Sequence, residues 1–281
     1  MWKQKLGIAV WDMDDLPAAE LVKLVAKIGF NAVSPSRNAC HDLVEVVRTA
    51  REVGLAVEYL HAPLGKAAAM WSEDRALSRP ALQELLDSLE DCRSLGIPTM
   101  VVHVWIGFEY TAVPTEAGLQ NFDALVNKAT AYGVKIAFEN TEGEEFLAAL
   151  MDRYAGNDTV GFCWDSGHEM CYNHSQDMLA KYGDRLLVTH LNDNLGIRDF
   201  TGETISWLDD LHLLPYDGIA DWAVLTARLK KARRLEYLNF ELNTDSKPDR
   251  HDNDLYRQMG PELFFTEAYK RACRIASRYA D

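Results

Sequence analysis

Apolar, strand-like runs alternate with helical segments along the whole of this 281-residue chain, and this alternation constrains the fold more than any other feature. Residues 6–11 form the first run, and residues 17–28 form the helical segment that follows it. Eight runs and eight helical segments alternate in this way. Strands that alternate with helices in one chain pair in parallel, so we predict an α/β fold that closes as a (β/α)8 barrel.

Glycine marks four junctions at which a predicted helix passes into a strand, and these are Gly29, Gly54, Gly96 and Gly133. A glycine at this position adopts the left-handed conformation that ends a helix before a short turn. We also predict a long helix at about 80–95 and a last helix at about 261–279, which closes the ring. A doubly wound sheet is the alternative, but the first strand-to-helix turn lacks the glycine fingerprint of dinucleotide-binding sheets.

Composition bears on the number of domains, the partners and the location of the protein, and not on its activity. No linker rich in Pro, Gly or Ser interrupts the sequence, so we predict a single domain over residues 1–281. The net charge of −14 disfavours nucleic acid as a partner, because phosphate binding depends on Lys and Arg. The five cysteines are scattered, which is typical of reduced thiols. The N-terminal run is too short for a signal peptide and no run is long enough to span a membrane, so we expect a cytoplasmic protein without a membrane partner.

Four of the predicted strands end in a side chain that can bind a metal ion: Glu139, Asp165, His190 and Glu241. Their separations of 26, 25 and 51 residues are close to one, one and two strand–helix units. In an eight-stranded barrel, this spacing directs all four side chains to the same C-terminal rim. Three carboxylates and one imidazole suit a divalent ion such as Mn²⁺, Mg²⁺, Co²⁺ or Zn²⁺. We therefore predict a metal enzyme with one such ion.

Other ionisable side chains end or follow the same strands, and these are His61, His103, His168, Asp210 and His212. Any one of them alone could be a polar strand end that bonds to a neighbouring loop. Together with the four ligands they make nine convergent groups, which would be costly to bury without a partner. Trp105 follows a strand end as well, where an aromatic ring either stacks on a sugar or packs against the core.

These strand ends together resemble the xylose-isomerase-like TIM barrels. The segments that carry the resemblance include Leu60-His61-Ala62-Pro63, Phe138-Glu139-Asn140, Asp165-Ser166-Gly167-His168, His190-Leu191-Asn192-Asp193 and Phe240-Glu241. The resemblance covers nearly the whole barrel, from about residue 6 to 242. This superfamily contains sugar and sugar-phosphate isomerases and epimerases, inosose dehydratases, hydroxypyruvate isomerases and endonuclease IV. It implies one (β/α)8 TIM barrel.

The resemblance implies an isomerase or epimerase that acts on a ketose derived from a sugar or polyol. One metal ion at the four ligands would stabilise an enediolate as a Lewis acid. Glu139 and Glu241 would move the proton as general acid and base. The residues expected to bind substrate are His168, Glu145, Arg198, His61, His103, Trp105 and His212. Glu145 matches a glutamate of the ketose epimerases, whereas Arg198 lies two residues further from His190 than the corresponding arginine does.

Three other functions remain open on the sequence alone. An inosose-type dehydratase would use the same ion to remove a proton and then expel hydroxide. Endonuclease IV shares all nine ligand types, but the segments after His61 and Asp193 differ from its pattern. A silent sugar-binding barrel is disfavoured, because it has little use for four metal ligands. We expect a small-molecule substrate without phosphate, since no clear phosphate-binding glycine loop is present, and leave homo-oligomer formation open.

Overall fold

Parallel strands form the inner wall of the molecule, and the computed structural model describes residues 4–13, 16–108, 111–199 and 204–280. One sheet has the order β3-β2-β1-β9, and the other has the order β4-β5-β6-β7-β8. The strands are β1 (Lys5–Val10), β2 (Ala32–Pro35), β3 (Ala56–Val57), β4 (Leu60–His61), β5 (Thr99–His103), β6 (Lys135–Glu139), β7 (Val160–Asp165), β8 (Leu186–His190) and β9 (Tyr237–Phe240).

Two parallel bridges join the sheets into a closed ring, Ser36 with His61 and Leu191 with Phe240. The third strand of the barrel, expected at about 55–60, is divided into β3 and β4, which flank Glu58 and Tyr59. Counting these two pieces as one strand gives eight, so the predicted (β/α)8 TIM barrel is confirmed.

Helices surround this ring on the outside. They are α1 (Ala18–Ile28), α2 (Leu43–Glu52), α3 (Arg75–Leu95), α4 (Glu116–Tyr132), α5 (Glu144–Arg153), α6 (Ser166–Cys171), α7 (Met178–Tyr182), α8 (Trp222–Leu229) and α9 (Asp254–Ala280). Short 3-10 helices lie at Arg37–Ala39, Ala68–Trp71, Gly183–Arg185 and Trp207–Asp209. Among the helices described, none is both long and apolar enough to cross a membrane.

Two helices begin earlier than predicted. Helix α3 begins at Arg75 rather than at about 80, because the Asp74 side chain accepts a hydrogen bond from the Ala76 N–H and caps the first turn. Helix α9 begins at Asp254, but its backbone breaks at Gly260, which has φ 70° and ψ 162°. The helix predicted at about 261–279 is therefore the second segment of α9.

An apolar layer fills the barrel interior directly beneath the candidate site. It consists of Tyr59, Val101, Ala137, Cys163 and Val188, all buried. Each of these residues stands two positions before a polar strand end, such as Ala137 before Glu139. Side chains two positions apart on a strand share a face, so both sets point into the barrel. The polar set is thus the next layer up, at the carboxyl ends of the strands.

Candidate active site

The four predicted metal ligands meet at the C-terminal end of the barrel. One donor atom from each of Glu139, Asp165, His190 and Glu241 lies within 4.8 Å of the others. His190 Nδ1 is central, because it lies 3.1 Å from Glu139 Oε1, 3.1 Å from Glu241 Oε2 and 3.9 Å from Asp165 Oδ2. Only Glu241 of the four is partly exposed, with 16% of its side chain accessible.

The donor set fits a divalent ion. Ligand atoms about 2.0–2.2 Å from an ion lie at most ~4.4 Å apart, so small side-chain movements would close the set around one. Within the described part of the chain, Glu139 Oε2 is buried and has no hydrogen-bond partner. Two imidazole nitrogens lie 3.2 and 3.4 Å from this oxygen, and a cation would supply the direct partner that a buried carboxylate oxygen requires. Three oxygens and one nitrogen suit Mn²⁺, Mg²⁺, Co²⁺ or Zn²⁺.

Neutral side chains fix the position of Asp165. Its Oδ1 accepts a hydrogen bond from the backbone N–H of His168 at 2.7 Å, which caps α6. Its Oδ2 accepts one from Asn192 Nδ2 at 2.9 Å. The Asn140 side chain binds both backbone groups of Asp165, at 2.8 and 2.9 Å. Gly167 is required here, because a Cβ at that position would lie 2.0 Å from Asn192 Oδ1. The neighbouring residues of the sequence motifs thus fix the side chain of Asp165, which is the candidate metal ligand.

Imidazoles surround Glu139. His168 Nδ1 lies 3.1 Å from its Oε1, and His103 and His61 lie 3.2 and 3.4 Å from its Oε2. A second carboxylate, Asp210, lies 3.0 Å from His212 and 3.5 Å from His168. The structure therefore brings His61, His103, His168 and His212 together with the four ligands.

These contacts perturb the titration of the cluster. Burial opposes ionisation of Glu139, but the charges of His190 and His103, together with the close contacts of His103 and His168, hold its pKa well below the usual range. Burial likewise opposes ionisation of Glu241, but the His190 charge lowers its pKa to about 2. The pKa of Asp165 is raised, because burial dominates there. Burial disfavours the charged form of His190, yet nearby acidic groups such as Cys163 and Glu241 raise its pKa well above the usual range.

A cavity of about 290 Å³ opens above the cluster. That volume is at the lower end of small-molecule sites, which suits a substrate the size of a monosaccharide. Its wall is formed by Trp11, Ser36, Ala39, His61, Leu64, His103, His168, Asp210, His212, Glu241, Asn243 and Lys247. Sequence reasoning missed Asn243 and Lys247, whose only signal was their position in the segment that follows β9 on the functional rim.

Three predicted substrate-binding residues lie outside this wall. Trp105 stacks on Phe146, with ring centroids 4.1 Å apart, and its Nε1 donates to Gly107 O. Glu145 borders a separate crevice. Arg198 Nε lies 3.5 Å from Asp209 Oδ1, and its side chain is 56% exposed. The structure therefore does not bring these three together with the cluster.

Comparison with known proteins gives one family. Residues 22–259 match the family model described as xylose isomerase-like TIM barrel. The uncharacterized protein y4fM of Sinorhizobium fredii is 34% identical over 176 residues, which cover 58% of this chain and 53% of that protein. A probable endonuclease 4 of Geotalea daltonii is 28% identical over 127 residues, which cover 37% of this chain and 44% of that protein. The chain thus spans about half the length of the curated relatives it matches.

Solved structures share the whole architecture. The IolI protein, crystallised with a zinc atom, superposes with a TM-score of 0.75 at 19% identity and covers 98% of this chain and 99% of its own. D-psicose 3-epimerase of Clostridium cellulolyticum H10, solved with D-tagatose, superposes with a TM-score of 0.73 at 14% identity over 98% and 99% of the two chains. At these identities, the similarity establishes the fold.

Proposed function

The chain belongs to the xylose isomerase-like TIM barrel family, and we propose that it is a divalent-metal-dependent isomerase or epimerase of a ketose derived from a sugar or polyol. The observation that carries this proposal is the convergence of Glu139, Asp165, His190 and Glu241 within 4.8 Å. The zinc atom of the IolI protein and the ketose in the psicose epimerase structure support it.

The residues of this chain would carry out the proton transfer. A divalent ion at the four ligands would supply a Lewis acid that polarises the substrate carbonyl. Glu139 and Glu241 each place an oxygen 3.1 Å from His190 Nδ1, so the two carboxylates flank one point. In our proposal, one of them removes the proton from the carbon next to the carbonyl and the other returns a proton, as base and acid. Glu241 reaches the cavity directly.

Four imidazoles on the cavity wall would orient the substrate. An imidazole can donate a hydrogen bond to a sugar hydroxyl or accept one from it, and this applies to His61, His103, His168 and His212. We expect His168 to contribute most among them, since it contacts both Glu139 and Asp210 and so lies between those two carboxylates. The positions of Glu145, Arg198 and Trp105 give no support to the same role.

Deuterium exchange tests this proposal directly. The Mn²⁺-loaded protein would be incubated in D₂O with a panel of ketoses, polyols and inososes, and NMR would follow deuterium at carbon. We expect Glu139→Gln and Glu241→Gln to slow exchange by at least ~10² each, while His168→Ala acts more on KM. Glu236→Gln is the matched control, because Glu236 is exposed at the opposite end of the barrel and pairs with Lys5. Absence of exchange and conversion across the whole panel would exclude the proposal.

Two alternative activities, a dehydratase and a nuclease, can be distinguished from an isomerase by their products. A dehydratase would release a product lighter by one water, which mass spectrometry detects. A nuclease ranks below the dehydratase. It stays a candidate because of the match to a probable endonuclease 4 and because further sets could hold metal ions, among them His61 with His103 and Glu139, and Asp165 with His168 and His212. The net charge of −14 disfavours a DNA substrate.

A further inference from the structure

The cavity wall contains a cation that the proposed reaction does not use. Lys247 lies in the segment between β9 and α9, and only 17% of its side chain is exposed. Its Nζ lies 5.4 Å from the centre of the Trp207 ring. Of the described residues that form the wall, Lys247 is the only lysine or arginine.

Asp210 does not satisfy this ammonium group. Lys247 Nζ lies 3.9 Å from Asp210 Oδ2, which is beyond hydrogen-bond distance. The same oxygen already lies 3.0 Å from His212 Nε2 and 3.5 Å from His168 Nε2. An ammonium group has three donors, and among the described residues the contacts of Lys247 Nζ are the ion pair with Asp210 at 3.9 Å and the Trp207 ring, neither of which is a hydrogen bond. Its donors are therefore available to a ligand in the cavity.

We propose that Lys247 binds a carboxylate of the substrate, so that the substrate class is a sugar-derived ketose that carries an acid group. This inference rests on the proposed function. Lys247 would receive the negative charge of such an acid, because it is the one lysine or arginine on the described wall and no carboxylate lies within hydrogen-bond distance of its Nζ. Lys247 and Glu241 line the same cavity, and Asp210 and His212 link them by successive contacts of 3.9, 3.0 and 3.8 Å, so one small molecule can reach both. A phosphate would call for more donors, such as the backbone N–H groups of a phosphate loop.

Binding without turnover tests the inference. Calorimetry on the Mn²⁺-loaded protein would compare D-gluconate with D-sorbitol, which has the same length but no charge, and with sorbitol 6-phosphate. We expect gluconate to bind at least ~10-fold more tightly than sorbitol, the effect of one charge-assisted hydrogen bond. Lys247→Met and Lys247→Gln should remove this preference and leave sorbitol binding unchanged, whereas Lys247→Arg should retain it. Lys230→Met, on the exposed end of α8, is the control.

The outcomes distinguish a substrate-binding role of Lys247 from a structural one. Equal binding of gluconate and sorbitol to the wild type would overturn the inference, and so would variants that weaken both ligands alike, since that pattern indicates a structural contact with Asp210. A stronger, Lys247-dependent preference for sorbitol 6-phosphate would overturn the choice of carboxylate. Melting temperatures of the variants identify any that do not fold. Gluconate preference without deuterium exchange would refute the proposed function alone, while exchange without the preference would refute this inference alone.

Discussion

Asp193→Asn should destabilise the fold, although the change keeps the size and shape of the side chain. Asp193 is fully buried, and its carboxylate accepts four hydrogen bonds. They come from Asn194 N at 2.9 Å, Tyr216 N at 2.8 Å, Ala220 N at 3.0 Å and Trp222 Nε1 at 2.9 Å. Three of these donors belong to the segment between β8 and α8, so one carboxylate organises much of that loop.

The expected magnitude follows from the two oxygens. Oδ1 accepts two of the bonds and Oδ2 accepts the other two. An asparagine offers one acceptor oxygen, and its NH₂ group faces two donors in either orientation. Each buried donor that loses its acceptor costs about 1–3 kcal/mol. The total for two donors is about 2–6 kcal/mol, a range that includes the usual cost of breaking a buried charged contact, and it should lower the melting temperature by on the order of 10 °C.

Thermal unfolding followed by circular dichroism measures this effect. Asp221→Asn is the matched control in the same loop, because Asp221 caps α8 from an exposed position and asparagine caps a helix equally well. The control should melt with the wild type. If Asp193→Asn also melts within about 2 °C of the wild type, the four bonds do not stabilise the fold as reasoned.

Three further predictions concern the cluster itself. Asp165→Ala should lose the divalent ion that we expect at near-stoichiometric amounts in wild type, and elemental analysis decides this; a wild type that binds no ion after reconstitution contradicts it. Because the pKa of His190 is raised well above its usual range, an ion must compete with the His190 proton, so the affinity for the ion should rise with pH. Calorimetry in two buffers of different ionisation enthalpy should then show proton release, and its absence would contradict the prediction. A duplex with an abasic site should remain intact with Zn²⁺ present; efficient cleavage that Glu139→Gln abolishes would favour the nuclease.

Sequence periodicity predicted the barrel and the convergence of Glu139, Asp165, His190 and Glu241, because both depend on regular geometry. A strand that ends at the C-terminal rim fixes where its last side chain points, so the positions of Glu139 and Asp165 follow from the strands alone.

The predicted glycine caps depend on one residue and its backbone conformation. Gly96 and Gly133 indeed have φ of 63° and 68°, in the left-handed region.

The loops could not be predicted in the same way, because long-range hydrogen bonds position them. Arg250 donates to Leu208 O at 3.0 Å and to Asp209 Oδ1 at 2.8 Å, which joins the segments after β8 and β9. Asp209 also forms an ion pair with Arg198, the residue that the sequence resemblance predicted to bind the substrate. No spacing rule reports such contacts, and Lys247 was overlooked for the same reason.

The buried charges of the site are tolerated because opposite groups alternate. Glu139 and Glu241 each lie 3.1 Å from His190, and Asp210 lies 3.0 Å from His212, above an apolar layer that strengthens these interactions. Asp165 is the exception, since neutral donors hold both of its oxygens. Hydrogen bonds from groups that do not titrate therefore hold Asp165, whereas Glu139 and Glu241 depend on their contacts with His190. If these side chains bind an ion as we propose, the fold already holds Asp165 in place, and Glu139 and Glu241 would exchange their contacts with His190 for contacts with that ion.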